Sequence, residues 1–357
     1  MSFVRTTPPR PIEVTAVFPE LAALARPAIR LHPRPGSPSV RDSSVGGPLL
    51  WPAGEPWPHC HDAHLHVDSG FRKSPTEVRL DRRLSSRWRP EGPAPTLLPE
   101  EAALRERNAA WLAERSEAGP PGPADCPVPM LPVAQLFLRD VPLLRPPGQA
   151  DLLQVLWCPY EHEPEHKPST ALFWRSAAEV GDVLTAPPEP YEADHPGYVP
   201  EPCVLAPEAI TEYPNSLELS PELQLLLDDW SRWQAAGADV DSSWAGYPGE
   251  FYAVHLGNAP GWKVGGWSPW GRTDPAPLYC AVCEARMAPL LTIASSEWDG
   301  DESRTWVPQE DQAHASRSHY AGQDPSQPTG VEVGSTDNMQ IYVCTASPEH
   351  PHTDLIQ

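Results

Sequence analysis

Cysteine and histidine occur in the first half of this sequence as two local pairs of the kind that bind metal ions. Cys60 precedes His64 and Cys158 precedes His162, and three residues separate the members of each pair. A structural zinc ion takes four thiolate or imidazole ligands in a tetrahedron, and separate segments commonly supply one pair each. We therefore predict that these four residues bind zinc. The alternative is two buried cysteines beside exposed histidines.

The second half of the chain contains a related set. Cys280 and Cys283 form a Cys-x-x-Cys pair, and Cys344 is followed by His350 and His352, either of which could supply the fourth ligand. Because these are again soft or borderline ligands from two segments, the sequence predicts a second zinc site. Two alternatives stay open, namely purely structural thiols and a redox dithiol. A redox dithiol usually lies at the start of a helix, which a proline soon after the pair disfavours.

Other catalytic motifs are weaker. The segment from His162 to His166 matches the His-Glu-x-x-His string of metalloproteases, which works only when both histidines lie one turn apart on a helix. Pro164 falls inside that turn and would break the helix, so we do not predict a protease. The sequence also lacks the Gly-x-Ser-x-Gly elbow of many hydrolases.

The two Cys/His sets belong to an internal repeat. The first copy comprises Val45–Pro48, Cys60, Met130–Ala134 and Gln154–Cys158, and the second comprises Val264–Trp267, Cys280, Met287–Leu291 and Gln340–Cys344. We predict an N-terminal arm at 1–41, a first half at 42–204 and a second half at 205–357, with one integrated domain as the alternative. Each Gly-Gly pair predicts a tight turn or a close backbone approach, because glycine tolerates positive φ.

Proline and glycine, at 49 and 23 residues, divide the chain into short elements. Helices are predicted at 99–116 and from Ser220, as N-cap, to about Gly237. Short apolar runs predict strands at 133–138, 152–157, 171–174, 251–256, 289–294 and 339–343. The sequence therefore predicts an α+β fold that is rich in β-strand, with internally duplicated halves, a few helices and many proline-rich loops.

Four stretches together resemble the YwqG-like family, a bacterial domain family of unknown function. They are the Gly-Gly-Pro segment in 44–52, Pro-Val-Ala-Gln-Leu at 132–136, the second Gly-Gly segment at 263–267 and Cys-x-x-Cys-x-x-x-Met at 280–287. The resemblance covers most of residues 40–350, and the chain looks like an actinobacterial-type member. It implies the family's fold and a cytoplasmic bacterial setting, but it implies no reaction. The chain departs from the family pattern at Trp270–Arg272 and at Gly334–Asp337.

The charge of the chain limits its partners. Acidic residues outnumber basic ones by 48 to 26, and the net charge of −22 disfavours nucleic acid and anionic membrane surfaces. It favours a basic protein partner. The basic segment 71–90 is an exception that could bind an acidic surface through its arginines, Phe71 and Trp88. We interpret it as a solvated insertion that folds back onto the acidic body.

The remaining features indicate a cytoplasmic protein. No run of about 18 apolar residues predicts a membrane span, and the N-terminus lacks the apolar region of a secretion signal. Seven cysteines are an odd number, which is more typical of thiols than of a disulfide framework. We therefore expect a binding or interaction module with structural zinc, which neutralises a basic protein partner such as a toxin. The alternative is a zinc-dependent enzyme with one coordination position of the first site open to water.

Overall fold

The computed structural model describes residues 4–65, 73–87, 95–118, 127–237, 248–298, 304–315 and 324–357. Strands make up 26% of the structure and helices 23%, so the predicted α+β fold with more strand than helix is confirmed. None of the helices in these ranges is long and apolar enough to cross a membrane.

The strands are short, as the many prolines predict. In chain order they are β1 (Arg26–Arg30), β2 (Arg34–Pro35), β3 (Ser44–Val45), β4 (His59–Cys60), β5 (Val128–Pro129), β6 (Leu131–Phe137), β7 (Leu152–His162), β8 (Lys167–Arg175), β9 (Cys203–Val204), β10 (Glu208–Glu212), β11 (Lys263–Gly265), β12 (Met287–Ala294), β13 (Asn338–Cys344) and β14 (Thr353–Ile356). Five of the six predicted strands correspond to β6, β7, β8, β12 and β13.

The described residues include seven α-helices. They are α1 (Val14–Val17), α2 (Pro75–Arg87), α3 (Pro99–Ala118), α4 (Pro221–Leu227), α5 (Trp230–Ala235), α6 (Pro248–His255) and α7 (Gln312–Ala315). Short 3-10 turns occur at Pro19–Leu24, Ala177–Glu179, Pro196–Tyr198, Ser216–Glu218 and Arg304–Trp306. The helix predicted at 99–116 is α3.

Two six-stranded antiparallel sheets repeat the same architecture. The first has the order β2-β9-β3-β6-β7-β8 and the second has the order β10-β1-β11-β12-β13-β14. The strands that carry the sequence repeat therefore occupy the same places in the two sheets. Even the irregularities match, because the β6–β7 register shifts between Pro132 and Ala134 and the β12–β13 register shifts between Pro289 and Leu291. Proline cannot donate a ladder hydrogen bond, which accounts for an irregularity at both places.

One strand crosses between the parts of the sequence, and another stays in its own half. β1 belongs to the predicted N-terminal arm, yet it pairs with β10 and β11 in the second sheet. β9, at the end of the predicted first half, pairs with β2 and β3 in the first sheet. The boundaries at 41 and 204 stay a prediction, because strand pairing alone does not identify folding units.

Both sheets contribute to one hydrophobic core. Val133 and Val155 of the first sheet belong to the same buried cluster as Val264 and Ile341 of the second. A second cluster joins the N-terminal arm to the helices α4, α5 and α6, and its members include Phe18. Full burial of one valine, isoleucine or phenylalanine side chain contributes about 1.5–3 kcal/mol to the free energy of unfolding.

The helix predicted from Ser220 begins as expected and then breaks. The Ser220 hydroxyl accepts a hydrogen bond from the Leu223 N–H at 3.3 Å, as an N-cap does. The helix stops at Leu227, and Asp229 caps a new helix, α5, by accepting from the Ser231 N–H at 3.0 Å. Two successive aspartates therefore divide the predicted helix in two.

The strand predicted at 251–256 is wrong, because this segment forms α6. Pro248 starts the helix, a position at which its fixed φ is favourable. Phe251 and His255, one turn apart, place their rings 5.2 Å from each other. Tyr252 is fully buried in the helical cluster. The apolar run is too short for its periodicity to distinguish strand from helix.

The Gly-Gly pairs lie at close backbone approaches, as predicted. Gly46 has a φ of 60°, and a Cβ atom there would lie 2.5 Å from the carbonyl oxygen of Glu201. In the second copy, Gly265 and Gly266 have φ values of 73° and 71°. Both copies therefore need glycine for their backbone conformation, which accounts for the motif.

The described part of the basic segment folds back onto acidic residues. Residues 73–87 include α2, and its cations pair with carboxylates at 2.5–3.1 Å: Lys73 with Asp81, Arg79 with Glu189, Arg82 with Glu201 and Arg87 with Glu101. These pairs agree with the interpretation of an insertion packed on the acidic body. Residues 71–72 and 88–90 of the segment lie outside the described residues.

Candidate metal centres

The first predicted set of ligands comes together where β4 meets the end of β7. Cys60 ends β4, which pairs with β5, while Cys158 and His162 lie on β7. His64 follows Cys60 in a loop, and this loop is fixed to β7 because the Leu65 N–H donates to the Glu161 carbonyl at 2.8 Å. The strand and the loop therefore bring both sequence pairs to one place. We call Cys60, His64, Cys158 and His162 the first Cys/His group.

The donor atoms of the first Cys/His group have the spacing of a tetrahedral site. All four lie within 4.8 Å of one another. Cys60 Sγ is 3.8 Å from His162 Nε2, and Cys158 Sγ is 3.4 Å from His64 Nε2. Bond lengths of about 2.3 Å to sulfur and about 2.0–2.1 Å to nitrogen place tetrahedral sulfur and nitrogen ligands about 3.6 Å apart. The group could therefore hold a metal ion with little rearrangement.

The two thiols of this group have opposite tendencies to ionise. The pKa of Cys60 is well below its ordinary value, because its thiolate accepts a hydrogen bond from Cys158 and further ones from the two imidazoles. The pKa of Cys158 is raised, mainly because the side chain is fully buried and also because it donates to Cys60. Ionisation of Cys60 therefore disfavours ionisation of Cys158. A metal cation at the same place would stabilise both as thiolates.

The second predicted set comes together at the equivalent place in the second sheet. Cys280 and Cys283 lie in a tight turn that is closed by hydrogen bonds from the Glu284 N–H to the Cys280 carbonyl and from the Cys280 N–H to the Ala285 carbonyl, both 2.9 Å long. Cys344 ends β13 and faces Met287 across the strand pair. We call Cys280, Cys283, Cys344 and His350 the second Cys/His group.

The second Cys/His group has equally short distances between its donor atoms. All four atoms lie within 4.8 Å of one another. Cys280 Sγ is 3.4 Å from His350 Nδ1, and Cys283 Sγ is 3.4 Å from Cys344 Sγ. Cys280 and Cys344 are only 2% and 3% exposed, whereas Cys283 faces solvent. The second group is therefore nearer the surface than the first.

Backbone donors favour thiolates at two of the three cysteines of the second group. The Val282 N–H points at Cys280 Sγ and the Ala346 N–H points at Cys344 Sγ, each at 3.4 Å. The pKa of Cys280 is lowered, chiefly by the hydrogen bond from Val282. Burial opposes ionisation of Cys344, but its pKa is still lowered because N–H groups of the following turn donate to its sulfur. Metal ions bind the thiolate form of cysteine, so these donors prepare the site.

The structure distinguishes between the two histidines that follow Cys344. His350 belongs to the second group, whereas the His352 ring lies 2.8 Å from the Thr170 hydroxyl. The metalloprotease string is also not helical. His162 ends β7, and His166 lies in the turn before β8, so the two histidines do not share a helix face. All eight predicted ligands are thus brought together, in two groups of four.

Sequence reasoning did not find the residues that position these ligands. Leu65, Val282 and Ala346 act through backbone N–H groups, and a backbone donor has no signature of residue type. The one available signal is sequence spacing, because the donors Val282 and Ala346 each follow their cysteine by two residues. No known protein-family model matches this chain, and no curated protein matches it either.

Proposed function

We propose that this protein is a zinc-stabilised binding module in which each Cys/His group holds one zinc ion. One observation carries the proposal: two sets of four donor atoms, each set within 4.8 Å, lie at equivalent ends of equivalent strands. Chance clustering of thiols would not be expected to recur at both places. The resemblance to the YwqG-like family is part of the proposal as a description of the fold.

The ligand chemistry favours zinc. The first group offers two sulfurs and two imidazole nitrogens, and the second offers three sulfurs and one imidazole nitrogen. These are the Cys₂His₂ and Cys₃His sets of structural zinc sites. Four protein ligands complete a tetrahedron and leave no position for a reactive water. This argues for a structural role over the alternative of a zinc-dependent enzyme, which needs an open position.

Zinc would stabilise the parts of the fold that the sheets leave weakly held. β4 is two residues long and pairs only with β5 among the described strands, so the first group attaches its loop to the long strand β7. The second group attaches the 280–283 turn to the end of β13 and to the turn before β14. Each ion would thus connect a loop to the fifth strand in the order of its sheet, next to the edge strand.

Elemental analysis tests this proposal directly. The full chain, purified without added chelator, should contain about two zinc ions per molecule, and chelation should lower its melting temperature. Cobalt(II) substitution should give the visible spectrum of four-coordinate sites with thiolate ligands. A chain that takes up no stoichiometric zinc, even after refolding with the metal, contradicts the proposal. A five-coordinate or water-bound cobalt spectrum would instead favour the enzyme.

The proposed partner is a basic protein, such as a toxin, in the cytoplasm. The net charge of −22 supports it, because an acidic surface attracts and orients a basic protein at a distance. The six cysteines that the structure describes are all free, as expected in a reducing compartment. Basic proteins encoded beside this chain should be titrated against it at two salt concentrations. Saturable binding that weakens with salt is expected, and no saturable binding to any of them contradicts the proposal.

A further inference from the structure

A cavity of about 570 Å³ lies beside the second Cys/His group. Its walls come from distant parts of the chain: the start of β1, the turn after β6, β8, the Gly265–Trp270 turn and the neighbouring ends of β12 and β13. Cys344 forms part of one wall. Binding sites for small molecules typically have volumes of about 300–1,000 Å³, so the cavity is large enough for a ligand of nucleotide size.

Three arginines line this cavity without a carboxylate partner. Arg26, Arg145 and Arg286 make no ion pair within 4.0 Å and no side-chain hydrogen bond with any residue that the structure describes. Acidic residues outnumber basic ones in this chain by 48 to 26. Three of the four arginines of α2, by comparison, are paired with carboxylates. Unpaired guanidinium groups around one cavity indicate a site for an anion.

The charges inside the cavity are unbalanced. Glu218 is the one carboxylate among the lining residues, so the lining has three positive charges and one negative charge. The pKa of Arg26 is lowered, first by burial and also by the positive charge of Arg286, while Glu218 partly opposes the change. Two arginines therefore repel each other across the cavity. An anion with two negative charges would neutralise the excess and remove this repulsion.

Aromatic rings form another part of the wall. Trp174, Trp267 and Trp270 all line the cavity. The guanidinium carbon of Arg26 lies 3.3 Å from the ring centroid of Trp267, so one face of that indole already stacks on a cation. The backbone N–H of Trp267 donates to the buried Glu212 carboxylate at 2.8 Å, and the indole N–H donates to the Leu24 carbonyl at 3.0 Å, so the ring is held in place. Flat indole surfaces beside arginines are suited to a planar ring that carries an anionic group.

We propose that this cavity binds a small organic dianion that carries a planar ring, either a phosphate monoester or a dicarboxylate. The guanidinium groups of Arg26, Arg145 and Arg286 hold the anionic groups in bidentate hydrogen bonds, and the tryptophans hold the ring. The site does not depend on the zinc proposal, because none of the three arginines belongs to a Cys/His group. It gives the protein a small-molecule ligand in addition to its protein partner.

Isothermal titration calorimetry on the full chain tests this proposal with four probes. AMP and phthalate are dianions of the two kinds, and each carries a planar ring. Adenosine has the ring without the charge, and inorganic phosphate has the charge without the ring. AMP or phthalate should bind at least about tenfold more tightly than adenosine and phosphate, since both parts of the ligand contribute. If neither dianion binds more tightly than adenosine and phosphate, the proposal is overturned. Equal affinities for AMP and phosphate indicate an adventitious ion only.

Variants locate the binding. Arg145 and Arg286 are exposed, so replacing either with alanine should leave the fold intact. Each replacement should weaken binding of the preferred dianion by roughly 10- to 100-fold, because it removes a charged hydrogen-bond donor. Arg107, an exposed arginine of α3 outside the cavity, gives the matched control, and Arg107→Ala should bind as the unaltered chain does. Equal binding by all three variants overturns the assignment to this cavity.

Discussion

Replacing His64 with alanine removes one of the four donor atoms of the first Cys/His group and leaves the hydrophobic core unchanged. His64 is half-buried in a loop, and its Nε2 lies 3.4 Å from Cys158 Sγ. Structural zinc sites bind with about 10–16 kcal/mol, so one ligand of four contributes about 3 kcal/mol, equivalent to about a 100-fold change in affinity. With free zinc buffered at about 100 times the original Kd, the zinc stabilisation should fall from about 2.7 to about 0.4 kcal/mol.

Two measurements check this value. Competition with a chromophoric chelator gives the affinity of each site, and urea unfolding in zinc buffers gives the stabilisation. His61 is exposed and lies in the same segment but outside the group, so His61→Ala is the matched control and should keep both affinities. The second site should be unchanged in both variants. Equal zinc affinity in His64→Ala and His61→Ala would refute the reasoning for the first group.

Three further predictions concern stability and are checked by urea unfolding. Glu212→Gln should cost about 3–5 kcal/mol, because it leaves the fully buried Lys263 ammonium, now 2.7 Å from Glu212, without a counter-charge; a loss below about 1 kcal/mol would contradict this. Burial lowers the pKa of His32 from 6.5 to about 4, so the folded protein resists its protonation and loses stability as the pH falls through this range. Between pH 7.5 and pH 5 this loss should be about 2 kcal/mol, and it should be absent from His32→Asn. Gly46→Ala should lower the free energy of unfolding by roughly 2 kcal/mol more than Gly148→Ala does. Both glycines have positive φ, but only Gly46 has backbone within 4 Å of the added Cβ. Equal losses in the two variants would show that φ alone determines the cost.

The sequence was informative where a local pattern has one physical meaning. Ligand pairs three to six positions apart predicted the eight residues that the structure brings together, because folding only had to join pairs that were already local. The repeated glycines and proline-led strands predicted equivalent elements in the two sheets. The pattern was insufficient at 251–256, because a mainly apolar run of six residues is compatible with both a strand and a helix.

Long-range placement could not be predicted in the same way. β1, with the sequence Arg-Pro-Ala-Ile-Arg, has a proline and too few apolar residues to be identified as the interior strand that it is. The cavity arginines Arg26, Arg145 and Arg286 are more than 100 residues apart from one another and share no motif. Their convergence depends on the packing of both sheets, which one sequence does not specify by local chemistry.

The crossing of β1 into the second sheet also determines when this protein can finish folding. β1 leaves the ribosome roughly 180 residues before its neighbour β10, and at about 5–20 residues per second this delay is about 10–40 s. During that time its hydrogen-bonding edges have no partner from the second sheet, and an unpaired edge is a site for aggregation. A nascent chain that stalls before residue 208 would therefore expose a strand that only the later part of the molecule can cover.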